Sequence, residues 1–183
     1  GTPDLFDLDR GKITVTDIGS IRSVAASDRL DQIPAIDLKT TGGGAEGIVY
    51  FRSDASRNTI RTGTLTLYDN FMISVDASSF GPGSTSGVQL GAGNGLGGLN
   101  NQGLYDVRLS GDGILSLGDN SASFTGAHTF SVGDGSVRVL HNGAFGAASI
   151  TANLRSTGVM EIAVANFVPT ATVIQEAGSI ERW

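Results

Sequence analysis

The chain contains no cysteine. That excludes a disulfide framework, a thiolate metal site and a thiol nucleophile, so packing and hydrogen bonding alone must hold the fold. Charge is scarce as well: 16% of the 183 residues are charged, against roughly 25% in ordinary soluble domains. Basic residues are the minority, 12 Lys and Arg against 18 Asp and Glu, for a formal net charge of −6. A nucleic-acid binder presents a basic face, and so does a protein that docks on anionic lipid, so both classes are disfavoured. No apolar run approaches the ~20 residues that a membrane-spanning helix needs. The sequence opens Gly1-Thr2-Pro3 without Met or an apolar leader, and reads as a mature product or an excised piece.

What is abundant is glycine, 27 residues, within a composition that is 39% hydrophobic. The apolar residues fall in short alternating runs such as Thr64-Leu65-Thr66-Leu67. Such runs punctuated by glycine are the pattern of an all-β chain. The runs also repeat. Gly113-Ile114-Leu115-Ser116-Leu117 leads to Asn120, Gly135-Ser136-Val137-Arg138-Val139 to Asn142, and Gly158-Val159-Met160-Glu161-Ile162 to Asn166. A further start stands at Gly178, and an earlier copy of the phrase runs from Gly63 to Asn70. A second set of runs recurs between these starts at His128–Val132, at Ser149 to Leu154 and at Ala171 to Ile174. One such unit cannot close a core alone, but stacked units bury a continuous apolar column. Glycine supplies a corner where a side chain would clash or φ turns positive, and asparagine tolerates the left-handed turn conformation.

The expected fold is therefore all-β, a right-handed parallel β-helix (β-solenoid) with turns of about 22 residues. Residues 1–183 read as a single domain, with 1–60 irregular as an N-terminal cap and 63–183 as regular repeats. Residues 78–103, rich in Gly, Ser and Asn, read as a Gly-rich edge loop. Leu65, Leu67, Leu115, Leu117, Val137, Val139, Ile162 and Val164 are expected to point inward. Gly63, Asn70, Gly113, Asn120, Gly135, Asn142, Gly158, Asn166 and Gly178 are the expected repeat turns. One short helical turn is expected near Ser27-Asp28-Arg29-Leu30.

Residues 111–146 resemble the autotransporter-associated β-strand repeat of bacterial surface and secreted proteins. The resemblance is carried by Gly111, Gly113, Leu115, Leu117 and Asn120, then Phe124-Thr125-Gly126, Thr129-Phe130-Ser131-Val132, Gly135-Ser136-Val137-Arg138-Val139 and Ala144-Phe145-Gly146. Two residues are inserted between Asn120 and Phe124, and Phe145 stands where leucine is usual. The resemblance implies a β-helix within a large exported protein, extracellular or on the bacterial cell surface. It implies display or adhesion, and it brings no catalytic residues.

The sequence carries little recognisable catalytic or ligand-binding chemistry. His128 and His141 have no partner at metal-ligand spacing and read as strand and turn residues. Gly83-Ser84-Thr85-Ser86-Gly87 lacks the strand–turn–helix context of a nucleophile elbow. Gly91-Ala92-Gly93-Asn94-Gly95 lacks the Lys-Ser/Thr of a phosphate loop. Calcium-binding nonapeptide repeats need acidic residues, and residues 78–103 contain none. Asp4, Asp7 and Asp9 form a weak candidate metal cluster through hard oxygen ligands, although an exposed, solvated tail is the simpler explanation. The expectation is a non-catalytic, adhesin-like structural module without a cofactor, calcium being the weaker alternative. Its partners would be further repeats of a parent protein, other copies of itself through open strand edges, or host and matrix glycans. Nucleic acid and membrane insertion are not expected. A self-assembling fibre subunit and a β-helical polysaccharide-active enzyme or glycan-binding module are the competing readings.

Overall fold

The computed structural model describes residues 12–23, 30–33, 35–42, 44–53, 59–76, 87–90, 99–101, 105–111, 113–117, 128–133, 135–141, 150–154, 158–163, 172–175 and 180–182. All the regular structure among them is β, in three sheets whose neighbouring strands are all parallel. Successive strands visit the sheets in rotation. β1 (Lys12–Thr16) lies in the first sheet, β2 (Ile18–Ser23) in the second and β3 (Leu30–Ile33) in the third. The rotation repeats with β4 (Ala35–Lys39), β5 (Gly47–Ser53) and β6 (Thr59–Thr62), then β7 (Leu65–Leu67), β8 (Phe71–Asp76) and β9 (Gly87–Leu90). It runs once more with β10 (Leu99–Asn101), β11 (Val107–Ser110) and β12 (Ile114–Leu117).

From there the described strands alternate between the second and third sheets. These are β13 (His128–Val132), β14 (Ser136–Val139), β15 (Ile150–Leu154), β16 (Val159–Ile162), β17 (Thr172–Gln175) and β18 (Ile180–Arg182). In this half the register steps are nearly constant. Leu115 pairs with Val137 and Val137 with Met160, Phe130 with Ala152, and Ala152 with Val173, so the steps are 21 to 23 residues. Earlier steps are longer and uneven: Ile36 lies opposite Leu65, and Leu65 opposite Leu99.

The core follows from the pairing. A strand places alternate residues on one face, and parallel register aligns those residues between neighbours. In the first sheet Ile36, Leu65 and Leu99 form one buried row, and Val15, Leu38 and Leu67 form another. In the second, Val49, Ile73, Leu109 and Val132 are level and buried. In the third, Leu115, Val137 and Met160 make one row and Leu117, Val139 and Ile162 the next. All of these belong to one apolar cluster. Leu65, Leu67, Leu115, Leu117, Val137, Val139 and Ile162 are thus buried as expected, whereas Val164 lies outside the described residues.

Four expectations need correction. The Gly63 phrase is out of phase with the Gly113 phrase: β7 belongs to the first sheet and β12 to the third. The true neighbour of β12 is β9, with Leu115 opposite Val88. The Gly-rich edge loop at 78–103 contains two strands, β9 and β10, each hydrogen-bonded into a sheet. Leu30 opens β3 and is not part of a helical turn, and Ser27, Asp28 and Arg29 lie outside the described residues. Residues 1–60 were expected to be irregular; among the described ones, β1 to β5 are strands that pair in parallel with the strands that follow in their own sheets.

Candidate functional site

The densest polar chemistry sits where the first sheet hands over to the second. β1 ends at Thr16, and Asp17 makes the corner in the left-handed conformation, with φ of 60°, which Asp tolerates better than most residues. Its backbone is used on both sides: the Asp17 amide donates to the Lys39 carbonyl at 2.9 Å, and the Asp17 carbonyl accepts from the Ile48 amide at 2.7 Å. Its carboxylate takes the Thr41 amide at 2.7 Å and the Thr41 hydroxyl at 2.8 Å. These bonds, the amide foremost, hold the Asp17 pKa below its ordinary value.

The same device recurs at the next level. Asp69 Oδ2 accepts the Thr40 amide at 2.9 Å and the Thr40 hydroxyl at 2.8 Å. Asn70 then bridges in both directions, its carbonyl accepting from the Gly47 amide at 2.9 Å and its Oδ1 from the Asp106 amide at 2.8 Å. Thus Asp17, Thr40, Thr41, Asp69 and Asn70 tie successive corners to one another. Both carboxylates are engaged by hydroxyl and amide donors, an arrangement that orders turns.

A second group lies on the first sheet. Asp37 is buried on the row opposite to the core, with Lys12 Nζ at 3.0 Å and Lys39 Nζ at 3.7 Å from its carboxylate oxygens. The hydrogen bond from Lys12 to Asp37, and then its charge, raise the Lys12 pKa. The Lys39 ammonium also sits 4.5 Å from the centre of the Tyr68 ring, within cation–π range. On the third sheet Arg138, 5% exposed, donates from Nε at 3.0 Å and from a terminal nitrogen at 2.9 Å to Glu161 Oε2. On the second sheet Arg108 pairs with Glu46.

The expected turn residues divide. Asn70 does the bridging described above. Gly113 donates its amide to the Val75 carbonyl at 2.8 Å and accepts from the Ser136 amide at 3.1 Å. Gly135 has φ of 81°, and a Cβ there would stand 2.5 Å from the Gly111 carbonyl oxygen, so only glycine fits without strain. Gly63 and Gly158 are buried at strand entries. Asn120, Asn142, Asn166 and Gly178 lie outside the described residues, as do Asp4, Asp7 and Asp9. His141 is exposed just after β14.

Among the described residues, no three His, Cys, Asp or Glu side chains are grouped to hold a metal ion. No described helix is long and apolar enough to cross a membrane. Sequence reasoning missed Asp17, Asp37, Thr40, Thr41 and Glu161 as interaction points. Only the Asp37 contacts left a trace, in the phrases Lys12-Ile13-Thr14-Val15-Thr16 and Ala35-Ile36-Asp37-Leu38-Lys39, which are level in the sheet. No protein-family model, curated protein or solved structure matches the chain.

Proposed function

We propose that this chain is a β-solenoid module, a right-handed parallel β-helix, that works as a non-catalytic structural and display element of an extracellular or cell-surface bacterial protein. The supporting observation is the rotation of successive strands through three parallel sheets up to β12, and their alternation between two of those sheets from β13 on, with the register kept. A chain that returns to the same sheet every 21 to 36 residues, always parallel, winds as stacked turns. The polar groups support the same reading: Asp17, Asp69 and Asn70 hold corner to corner, and Arg138 holds strand to strand. The resemblance of residues 111–146 to autotransporter-associated repeats favours an exported setting and adhesion or display as the task.

Two measurements test the reading. Pulling on single molecules should unravel the C-terminal half in increments of one turn, about 22 residues or ~75 Å of extended chain. Incubation with acidic polysaccharides should release no new reducing ends. Saccharide release above background would overturn the non-catalytic assignment, and one abrupt rupture of the whole chain would overturn the stacked one.

A further inference from the structure

The outer face of the second sheet sorts its side chains into rows. Val49 and Phe51 of β5 are buried in the core, so Ile48, Tyr50 and Arg52 face outward. Ile21 of β2 packs against the core, so Ser20 and Arg22 face outward beside them. By register Ile18 lies opposite Ile48, Ser20 opposite Tyr50 and Arg22 opposite Arg52. One row is therefore apolar, the next carries a hydroxyl and an aromatic ring, and the third is cationic. Ile18 is 67% exposed; Ser20, Arg22 and Arg52 are exposed, and Ile48 and Tyr50 are half-buried. The Arg52 guanidinium stands 4.8 Å from the centre of the Tyr50 ring, within cation–π range. The cationic row continues to Asp76 on β8, and Arg108, which extends the apolar row on β11, is paired with Glu46. The cationic pair is thus confined to β2 and β5.

Arg22 and Arg52 are one strand spacing apart, ~4.8 Å between backbones, in a chain whose formal net charge is −6. Like charges directly opposite one another on neighbouring strands repel. A carboxylate lying between them replaces that repulsion with charge-assisted hydrogen bonds. Both guanidiniums make other contacts as well, but each has five donors to share. We propose that this face binds an acidic polysaccharide. A sugar carboxylate meets Arg22 and Arg52, the C–H face of a pyranose ring lies against Tyr50 and Ile48, and a ring hydroxyl reaches Ser20. The inference rests on the display reading above, which places the chain among extracellular polymers. An anionic membrane fits less well, because among the described residues Ile18 is the one exposed large apolar side chain, too little to anchor in lipid. An acidic peptide would meet the arginines but has no use for the ring and hydroxyl row.

The test is isothermal titration of the 183-residue chain with oligogalacturonides and oligomannuronates near neutral pH. The parent should bind at least one of them, less tightly as salt rises, and should not bind its methyl ester, which keeps the ring and loses the charge. Arg22→Gln and Arg52→Gln should each weaken binding about tenfold or more. Arg52→Lys keeps the charge without the planar fork and should recover part of that loss. Arg108→Gln removes an equal charge from the same face, two strands from β5, and should stay within about twofold of the parent. The substituted side chains are all exposed, and far-UV circular dichroism checks each fold. No binding by the parent, methyl esters bound as tightly as the acids, or Arg108→Gln as damaging as Arg52→Gln would each overturn the proposal. So would equal binding of polyglutamate or of phosphatidylglycerol vesicles. Failure of the display reading shows separately. New reducing ends in the titrated mixture overturn that reading whatever the affinity, whereas absent binding without release refutes the proposed face alone.

Discussion

Gly47→Ala is the smallest change expected to disturb the core. Gly47 lies opposite Phe71 in the second sheet, and the Phe71 ring, fully buried, lies directly over it. A Cβ at Gly47 would come within 2.6 and 2.7 Å of the two Cε atoms of the ring, close to 1 Å inside ordinary contact. The ring has no room to retreat, since the next level holds Val107, opposite Phe71 and itself buried. The added methyl should therefore act as overpacking, costing about 1–3 kcal/mol. Shortening the ring should relieve it. Phe71→Leu alone leaves a partly filled void, costing about 1–3 kcal/mol by the range for large-to-small core changes. In the double variant the alanine methyl occupies that void, and the double should be ~1–2 kcal/mol more stable than the sum of the singles predicts. Urea unfolding by far-UV circular dichroism gives the cycle. Amide exchange at β5 and β8 keeps it interpretable if turns open separately. A Gly47→Ala effect below about 0.5 kcal/mol, as for an ordinary surface change, would refute the close packing. So would additivity of the two substitutions.

Gly135→Ala should cost about 2–4 kcal/mol, combining positive-φ strain with the clash at the Gly111 carbonyl, and its loss of exchange protection should centre on β12 and β14. Glu161→Ala should destabilise by about 2–3 kcal/mol because it strands the buried Arg138 guanidinium; Arg138→Met, which removes that charge too, should cost less, by chemical denaturation of both. The melting temperature should depend on pH through Asp17 and Lys12. The Asp17 pKa is depressed, so its contribution is complete above the ordinary carboxylate value of 3.8 and is lost as the pH falls through the lower folded value. The Lys12 pKa is raised, so its contribution is complete below 10.5 and is lost as the pH rises through the folded value. Asp17→Asn should flatten the acid limb of the melting profile and Lys12→Met the alkaline limb, each leaving the other limb in place.

The C-terminal half was legible because its steps barely vary. With Gly113, Gly135 and Gly158 spaced 22 and 23 residues apart, the repeated phrases fall level, as Ile114, Ser136 and Val159 show. The N-terminal half obeys the same alternation, but its steps change from Lys12–Ala35 to Ile36–Leu65 to Leu65–Leu99. A search for one period cannot follow such steps. The Gly63 phrase misled for a related reason. A glycine followed by alternating leucines describes any strand that enters after a corner; the sheet it joins depends on how many residues separate the corners. In 78–103, Gly87-Val88-Gln89-Leu90 read as a run between the Gly63 and Gly113 phrases and is β9, whereas Leu99 stood too isolated among glycines to read as a strand, and pairing supplies what propensity lacks. The polar corner was invisible to a motif search because Asp17 and Thr41 meet across 24 residues, with no fixed spacing to mark them.

The proposed stacking of parallel turns can be tested directly, because a chain without cysteine accepts spin labels at chosen sites alone. Ile18, Ile48, Met72, Arg108, Ser131 and Asn153 are successive levels of one row of the second sheet. Ile18 is 67% exposed and takes the fixed label; the second label goes to Arg108, Ser131 or Asn153 in turn. Double electron–electron resonance should return separations that climb by one strand spacing each time, about 14, 19 and 24 Å. Distances that fail to rise in that order would contradict the parallel stack.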